Sequence, residues 1–380
     1  MIGGPETSVD ARDLKPAATL YLCIEAVGCP TVCRHCWAQG TPYGAMPVGD
    51  IAWVLERAQR FCEDRGLAFD AYPMHELAAH PDAARLFGLF NEHSASGRSG
   101  TMFEPWPTTG VPLAIREDWR DVLGAAADTG TTTLWVAFHG VGEEHDLQVN
   151  RCGAFAETCL AVERIRAAGL SVGCNVFLTT ANLPQLGVLV ETVRRLPINA
   201  GMCWQVVGFL PTSRSRRNER VRPTPADLLP VAGQVLDLVP PHWHAWWADL
   251  DAHTEAAYVR RAIAGEWPAS PERPEAELAL VCRPNLDVHA GLAGLYRERH
   301  GNLRTDGVEV VLNRALAHGY RPDDALWFSL DPLPAAAELA ARHGDPAGLR
   351  VHPWAQSVRY LWLDRAEKAR LDEQNRALNR

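Results

Sequence analysis

Between residues 18 and 209, short runs rich in β-branched and aromatic residues alternate with longer segments of helical period, and six such strand–helix units can be counted. This alternation constrains the chain more than any other feature. Strands separated by helices return as parallel neighbours, so the pattern predicts βα units built on a parallel sheet. Strands are expected at 18–25, 67–72, 100–104, 131–138, 170–178 and 202–209, and helices at 48–65, 81–93, 117–128, 155–168 and 186–195. The run 131–138 is the clearest strand. In parallel βα barrels, reactive residues lie at the C-terminal ends of strands and on the loops that follow.

From about residue 211 the style changes. A polar loop carries Arg214, Arg216, Arg217, Arg220 and Arg222, which either grip a substrate carboxylate or phosphate or form a solvated surface. A helix is expected over 223–238. Trp243, Trp246 and Trp247, with His242, His244 and His253 nearby, either line a pocket or pack as core. Residues 268–274 look like a linker. Beyond 278 a smaller α+β or helical region ends in a charged helix near 364–376.

Several classes are excluded. The net charge is −9 and is spread along the chain, which argues against nucleic acid or an anionic membrane as the main partner. No run of eighteen apolar residues exists, and residues 1–20 lack the plan of a signal peptide. The chain therefore reads as cytoplasmic, where its ten cysteines are not expected to form structural disulfides. No dinucleotide fingerprint or phosphate-binding loop is present. The N-terminal twenty residues are too short for a leader-peptide-binding domain, and no cobalamin domain is expected.

One cysteine group stands apart: Cys29-Pro-Thr-Val-Cys33-Arg-His35-Cys36, directly after the first expected strand. Three thiolates on one loop suit zinc or an iron–sulfur cluster. A structural zinc site normally takes four ligands. Cys23 lies inside the strand, and His35, beside Cys36, closes awkwardly around one ion. Three ligands on a four-iron cluster leave one iron open for another molecule.

The Cys-x3-Cys-x2-Cys spacing after a first strand resembles the radical S-adenosylmethionine (SAM) superfamily. The resemblance covers residues 18–210 and implies that Cys29, Cys33 and Cys36 hold a [4Fe–4S] cluster whose open iron binds SAM. One-electron cleavage then gives a 5′-deoxyadenosyl radical. His35 stands where the family has an aromatic residue near the adenine, and Trp37 follows it. Met74-His75-Glu76 matches the Gly-Gly-Glu turn after the second strand, without its glycines, and implies that Glu76 receives the SAM amino group. Thr108-Thr109-Gly110 resembles the Thr-Asn-Gly turn after the third strand. Ala137-Phe138-His139-Gly140, then Glu143, His145, Asp146, Arg151 and Gly153, resembles the peptide-modifying, SPASM-like branch. Ala137 replaces its serine and His139 its aspartate. Arg151 is implied to pair with the SAM carboxylate, and Asn175 to lie near the ribose or methionyl group. On the sixth strand either Trp204 or Gln205 faces inward.

The resemblance thus implies an α/β fold, a partial (βα)6 radical SAM barrel over 18–210, a connecting segment over 211–277 and a smaller C-terminal α+β appendage over 278–380. The appendage resembles a SPASM or twitch domain lacking most cluster cysteines, since only Cys282 remains there. Cys203 and Cys282 are candidate hydrogen-atom donors, or buried structural thiols. The expected activity is hydrogen abstraction from a small molecule or natural-product intermediate, leading to epimerisation, dehydrogenation, decarboxylation or rearrangement. A flavodoxin or ferredoxin is the expected electron donor. Two alternatives stand beside it: a peptide-modifying maturase, and a non-catalytic iron–sulfur or zinc protein.

Overall fold

The computed structural model describes residues 19–36, 40, 42–206, 214, 218, 220–239, 241–264, 277–290 and 299–318. These hold strands β1 (Thr19–Ile24), β2 (Ala68–Pro73), β3 (Trp106–Pro107), β4 (Thr133–Phe138), β5 (Ser171–Leu178), β6 (Met202–Val206), β7 (Glu277–Cys282), β8 (Asp287–Ala290) and β9 (Arg299–Asn302). Helices Val48–Glu63, Ala83–His93, Trp119–Asp128, Ala154–Ala167 and Leu186–Arg195 alternate with the first six strands. The expected α/β class is therefore observed, with parallel pairing of β1 with β2 and through β3, β4, β5 and β6.

The six strands do not form one ladder. One sheet has the order β2-β1-β7-β8-β9 and the other β3-β4-β5-β6. The break between β2 and β3 has a local cause. β3 is two residues long, and Pro107 has no N–H to donate. On β2, Asp70 instead accepts from the backbone and hydroxyl of Ser96, at 3.2 and 2.7 Å, and from the Ser94 hydroxyl. Before β4, the Glu104 carboxylate accepts the backbone N–H groups of Thr132 and Thr133 at 2.5 and 3.1 Å. Side chains thus replace ladder bonds here, and the strand expected at 100–104 is found at Trp106–Pro107.

One apolar core joins both sheets to their helices. Leu20, Leu22 and Ile24 of β1, Leu134, Val136 and Phe138 of β4, and Trp204 of β6 are all buried in it. Each buried aliphatic side chain contributes roughly 1.5–3 kcal/mol, enough to fix the parity of its strand. The alternate residues then face the opposite side, where the candidate site lies.

The region expected as an appendage over 278–380 is joined to the first strand by pairing. β7 pairs in parallel with β1, in register from Thr19↔Glu277 to Ile24↔Cys282, and β8 and β9 continue the same sheet antiparallel. The expected boundary falls inside a sheet shared with the first strand. Residues 268–274 and 364–376 lie outside the described residues. Among the described residues, no helix is long and apolar enough to cross a membrane.

Candidate active site

The loop after β1 carries the three cysteines, and its backbone is fixed from across the molecule. Val32 donates to the carbonyl of Val149 at 3.1 Å, and Arg34 to that of Gln148 at 2.8 Å, at the end of helix Glu143–Val149. A turn follows, with Cys36 N–H donating to the Cys33 carbonyl at 3.2 Å. The sulfurs of Cys29 and Cys33 each lie 3.2 Å from the Thr31 hydroxyl oxygen, and Cys33 and Cys36 share an apolar pocket with Val111, Val149 and Ala154. Burial pushes the Cys29 thiol up to about 11, helped by the Glu76 carboxylate, while the Thr31 bond pulls the other way. Burial likewise pushes Cys33 up to about 12. These thiols are neutral until a metal displaces their protons. Among the described residues, no three His, Cys, Asp or Glu side chains gather around one point as a single ion requires. A cluster takes each thiolate on its own iron.

Glu76 follows β2 and is 3% exposed. Its carboxylate accepts the Thr109 backbone N–H at 2.6 Å and the Thr108 hydroxyl at 2.9 Å. Thr108 itself accepts from Gly110 N–H at 3.0 Å. Gly110 is required here: its φ is +80°, and a Cβ would stand 3.0 Å from the Ala161 methyl. Burial raises the Glu76 pKa, and the Thr109 and Thr108 bonds oppose it. A buried carboxylate of this kind ionises readily only beside a cation.

Three rings form a plate at the ends of β4 and β5. His139 stacks on Phe177 with centroids 5.1 Å apart and planes 8° apart, and His35 lies 4.0 Å from His139 on a tilted plane. Asn182 ties the two strand ends by donating to the carbonyls of His139 and Phe177 at 2.9 and 2.7 Å. His145 accepts the His139 N–H at its Nδ1, 3.2 Å away. Burial lowers all three imidazoles, His35 and His145 to about 4 and His139 well below its ordinary value. The plate is neutral at pH 7, and His35 Nδ1 is buried with no hydrogen-bond partner among the described residues.

Strand register settles the remaining candidates. Asn175 of β5 stands beside Ala137 of β4 and Cys203 of β6, and Phe177 beside Gln205. Because Phe177 is on the plate, Asn175, Cys203 and Gln205 share its side of the sheet. Trp204 has the opposite parity and is fully buried in the core, so Gln205 is the inward residue. Trp135 lies on this side too, over Gly173, whose Cβ would meet the indole at 2.5 Å. Cys203 is partly buried, and burial raises its thiol to about 11.

Two candidates are placed elsewhere. Cys282 is fully buried in the apolar core, on the face of Ile24, and not on the side of the plate. Arg151 gives its guanidinium to Glu157 in a bidentate pair at 2.7 and 2.8 Å, so it is not an open fork for a cofactor carboxylate. The turn through Gly153, whose N–H is held by Asp146 at 2.6 Å, brings that partner round. Trp37 lies outside the described residues. Sequence reasoning placed Thr108 in a turn without its bond to Glu76, and it missed Thr31, Phe177 and Asn182. Of these three only Phe177 carried a signal, the parity it shares with Asn175.

A [4Fe–4S] cluster and SAM fit this donor set. Three thiols on one pinned loop leave a fourth iron without a protein ligand. Among the described residues, the buried Glu76 carboxylate has no cation beside it, and an orphaned ring nitrogen of His35 lies on the neighbouring loop.

No protein-family model matches the chain, and no curated protein matches it in sequence. Several solved structures resemble it. With anSMEcpe bearing bound AdoMet and the Cp18Cys peptide, identity is 14% and the TM-score 0.45, covering 94% of this chain and 99% of that one. With coproporphyrinogen III oxidase (HemN) of Escherichia coli, a radical SAM enzyme, the values are 14% and 0.42, covering 95% and 93%. With the radical SAM methyltransferase TsrM of Kitasatospora setae they are 15% and 0.34, covering 51% and 37%. At these identities the likeness concerns chain path alone, and what the site does has to come from its side chains.

Proposed function

We propose that this chain is a radical SAM enzyme acting on a small molecule or natural-product intermediate. The observation that carries the reading is the meeting of two elements. The three-thiol loop after β1 and the buried Glu76 after β2 lie close enough for the carboxylate to raise the Cys29 pKa. A Cβ on Gly40 would likewise touch both Cys29 Cβ, at 2.9 Å, and His75 Nδ1, at 3.3 Å.

When bound and reduced by one electron, a [4Fe–4S] cluster with SAM supplies a 5′-deoxyadenosyl radical that abstracts hydrogen from an unactivated carbon. The chain's residues do the holding and aiming. Cys29, Cys33 and Cys36 would bind three irons as thiolates. Glu76, kept in place by Thr108 and Thr109, accepts from an ammonium, and this charge-assisted bond restores its ionised form. The His35, His139 and Phe177 plate is neutral and apolar, the surface on which a purine stacks, and His35 Nδ1 adds one polar contact. Asn175, Gln205 and Cys203 face the same side and suit the substrate and methionyl ends. A neutral Cys203 S–H is the form that can return a hydrogen atom.

The test is anaerobic reconstitution. About four irons per chain are expected, and dithionite with SAM releases 5′-deoxyadenosine. Cys29→Ala, Cys33→Ala and Cys36→Ala each abolish that release. Uptake of about one zinc per chain and no iron would overturn the proposal in favour of a structural site.

A further inference from the structure

Arg214 belongs to the arginine-bearing segment after β6, which the sequence left as a substrate grip or a solvated surface. Its guanidinium is directed at the cysteine loop. Nε donates to the Cys33 carbonyl at 3.1 Å, and Nη2 donates to the Gly40 carbonyl. These carbonyls stand at the two ends of the stretch 33–40, which carries His35 and Cys36. Arg214 lies 181 and 174 residues away along the chain, so the contacts are tertiary clamps and not local turns. The cation thus lies against the backbone of a cysteine that would ligate the cluster.

We infer that Arg214 is a positioning residue for the cluster: it locks the part of the cysteine loop that carries Cys33 and Cys36 by bridging the Cys33 and Gly40 carbonyls, and its charge raises the reduction potential of a cluster held there. The inference rests on the proposed function. Reduction adds one negative charge to the cluster, and a fixed cation in a partly dry site favours that state. Groups outside the ligand set tune a metal centre in this way. The two-carbonyl contact needs a planar fork. A lysine supplies the charge at one point but cannot span both acceptors.

The experiment compares reconstituted wild type, Arg214→Gln, Arg214→Lys and the exposed control Arg220→Gln. It measures iron per chain, the rate of iron loss to a chelator, and the cluster midpoint potential by redox titration followed by electron paramagnetic resonance. Arg214→Gln is expected to lose iron several-fold faster and to have a more negative potential. Arg214→Lys also loses iron faster but keeps a potential close to wild type, and Arg220→Gln matches wild type in both. If Arg214→Gln matches wild type in potential and iron loss, or if Arg214→Lys shifts the potential as far as Gln does, the inference is wrong. Should Arg214→Gln fail to fold, the lysine variant still decides, since a wild-type rate of iron loss there refutes the clamp. A wild type that takes up no iron refutes the proposed function itself, a separate result.

Discussion

His75 shows what one residue can disclose about a site. It sits at φ +64°, a left-handed conformation that costs a side-chain-bearing residue roughly 1–2 kcal/mol and costs glycine almost nothing. Glycine takes this conformation freely, so the backbone at this position has a glycine shape that carries an imidazole. The imidazole is buried, with Nε2 3.7 Å from the Glu25 carboxylate and its ring edge-on to Tyr43. Replacing it tests the strain directly. His75→Gly and His75→Ala lose the same imidazole contacts, but only glycine relieves the backbone. Urea unfolding of the apo-protein should find the glycine variant about 1 kcal/mol more stable than the alanine one, reversing the usual order of the two residues. The usual order, with the alanine variant the more stable, would show that the turn stores no strain. At this scale the sequence was legible where chemistry depends on short spacing. The three cysteines and Glu76 needed only their distance from a strand end. Arg151, Phe177 and Arg214 were not legible, because Glu157, His139 and the Cys33 carbonyl reach them only after folding.

Elements were legible in proportion to their periodicity. β1, β2, β4, β5 and β6, with the helices between them, lie close to the expected segments because alternating burial marks them plainly. β3 escaped because two residues, one of them proline, carry no period. β7 was read as part of an appendage because nothing in its own sequence announces that it pairs with β1, some 260 residues earlier (roughly a whole domain's length). Parity along β6 and β7 now separates the two thiols that sequence could not rank. Cys203 shares the side of Asn175 and Phe177, whereas Cys282 points into the apolar core with Ile24. If the reaction returns a hydrogen atom to a product radical from a protein thiol, turnover in heavy water should place deuterium in the product. Cys203→Ala should remove that label and Cys282→Ala should leave it. Label surviving in the Cys203 variant would exclude the inner-face thiol as donor.

For the whole molecule, the buried Glu76 is a stability cost that the proposed ligands would remove. Glu76 is held in a dry pocket with a raised pKa, burial outweighing the bonds from Thr109 and Thr108. In the unfolded chain the same carboxyl titrates near its ordinary value, about 4.3. Between those two values the folded apo-protein binds a proton that the unfolded chain has released. The contribution of Glu76 to stability is therefore fully present below the unfolded pKa and is lost as pH rises towards the folded one. Glu76→Gln has no such titration. The wild-type apo-protein should accordingly lose stability relative to the glutamine variant as pH is raised through the window above about 4.3, read as a pH-dependent gap between their urea unfolding curves. On the proposed function, loading the cluster and SAM would bring an ammonium to the carboxylate, favouring its ionised form and reversing the shift. The gap should then open in the opposite direction, with the loaded wild type the more stable partner at neutral pH, because a ligand that binds only the folded state stabilises it. A gap that follows pH but ignores loading would mean that Glu76 is an ordinary buried carboxylic acid and no part of the cofactor site.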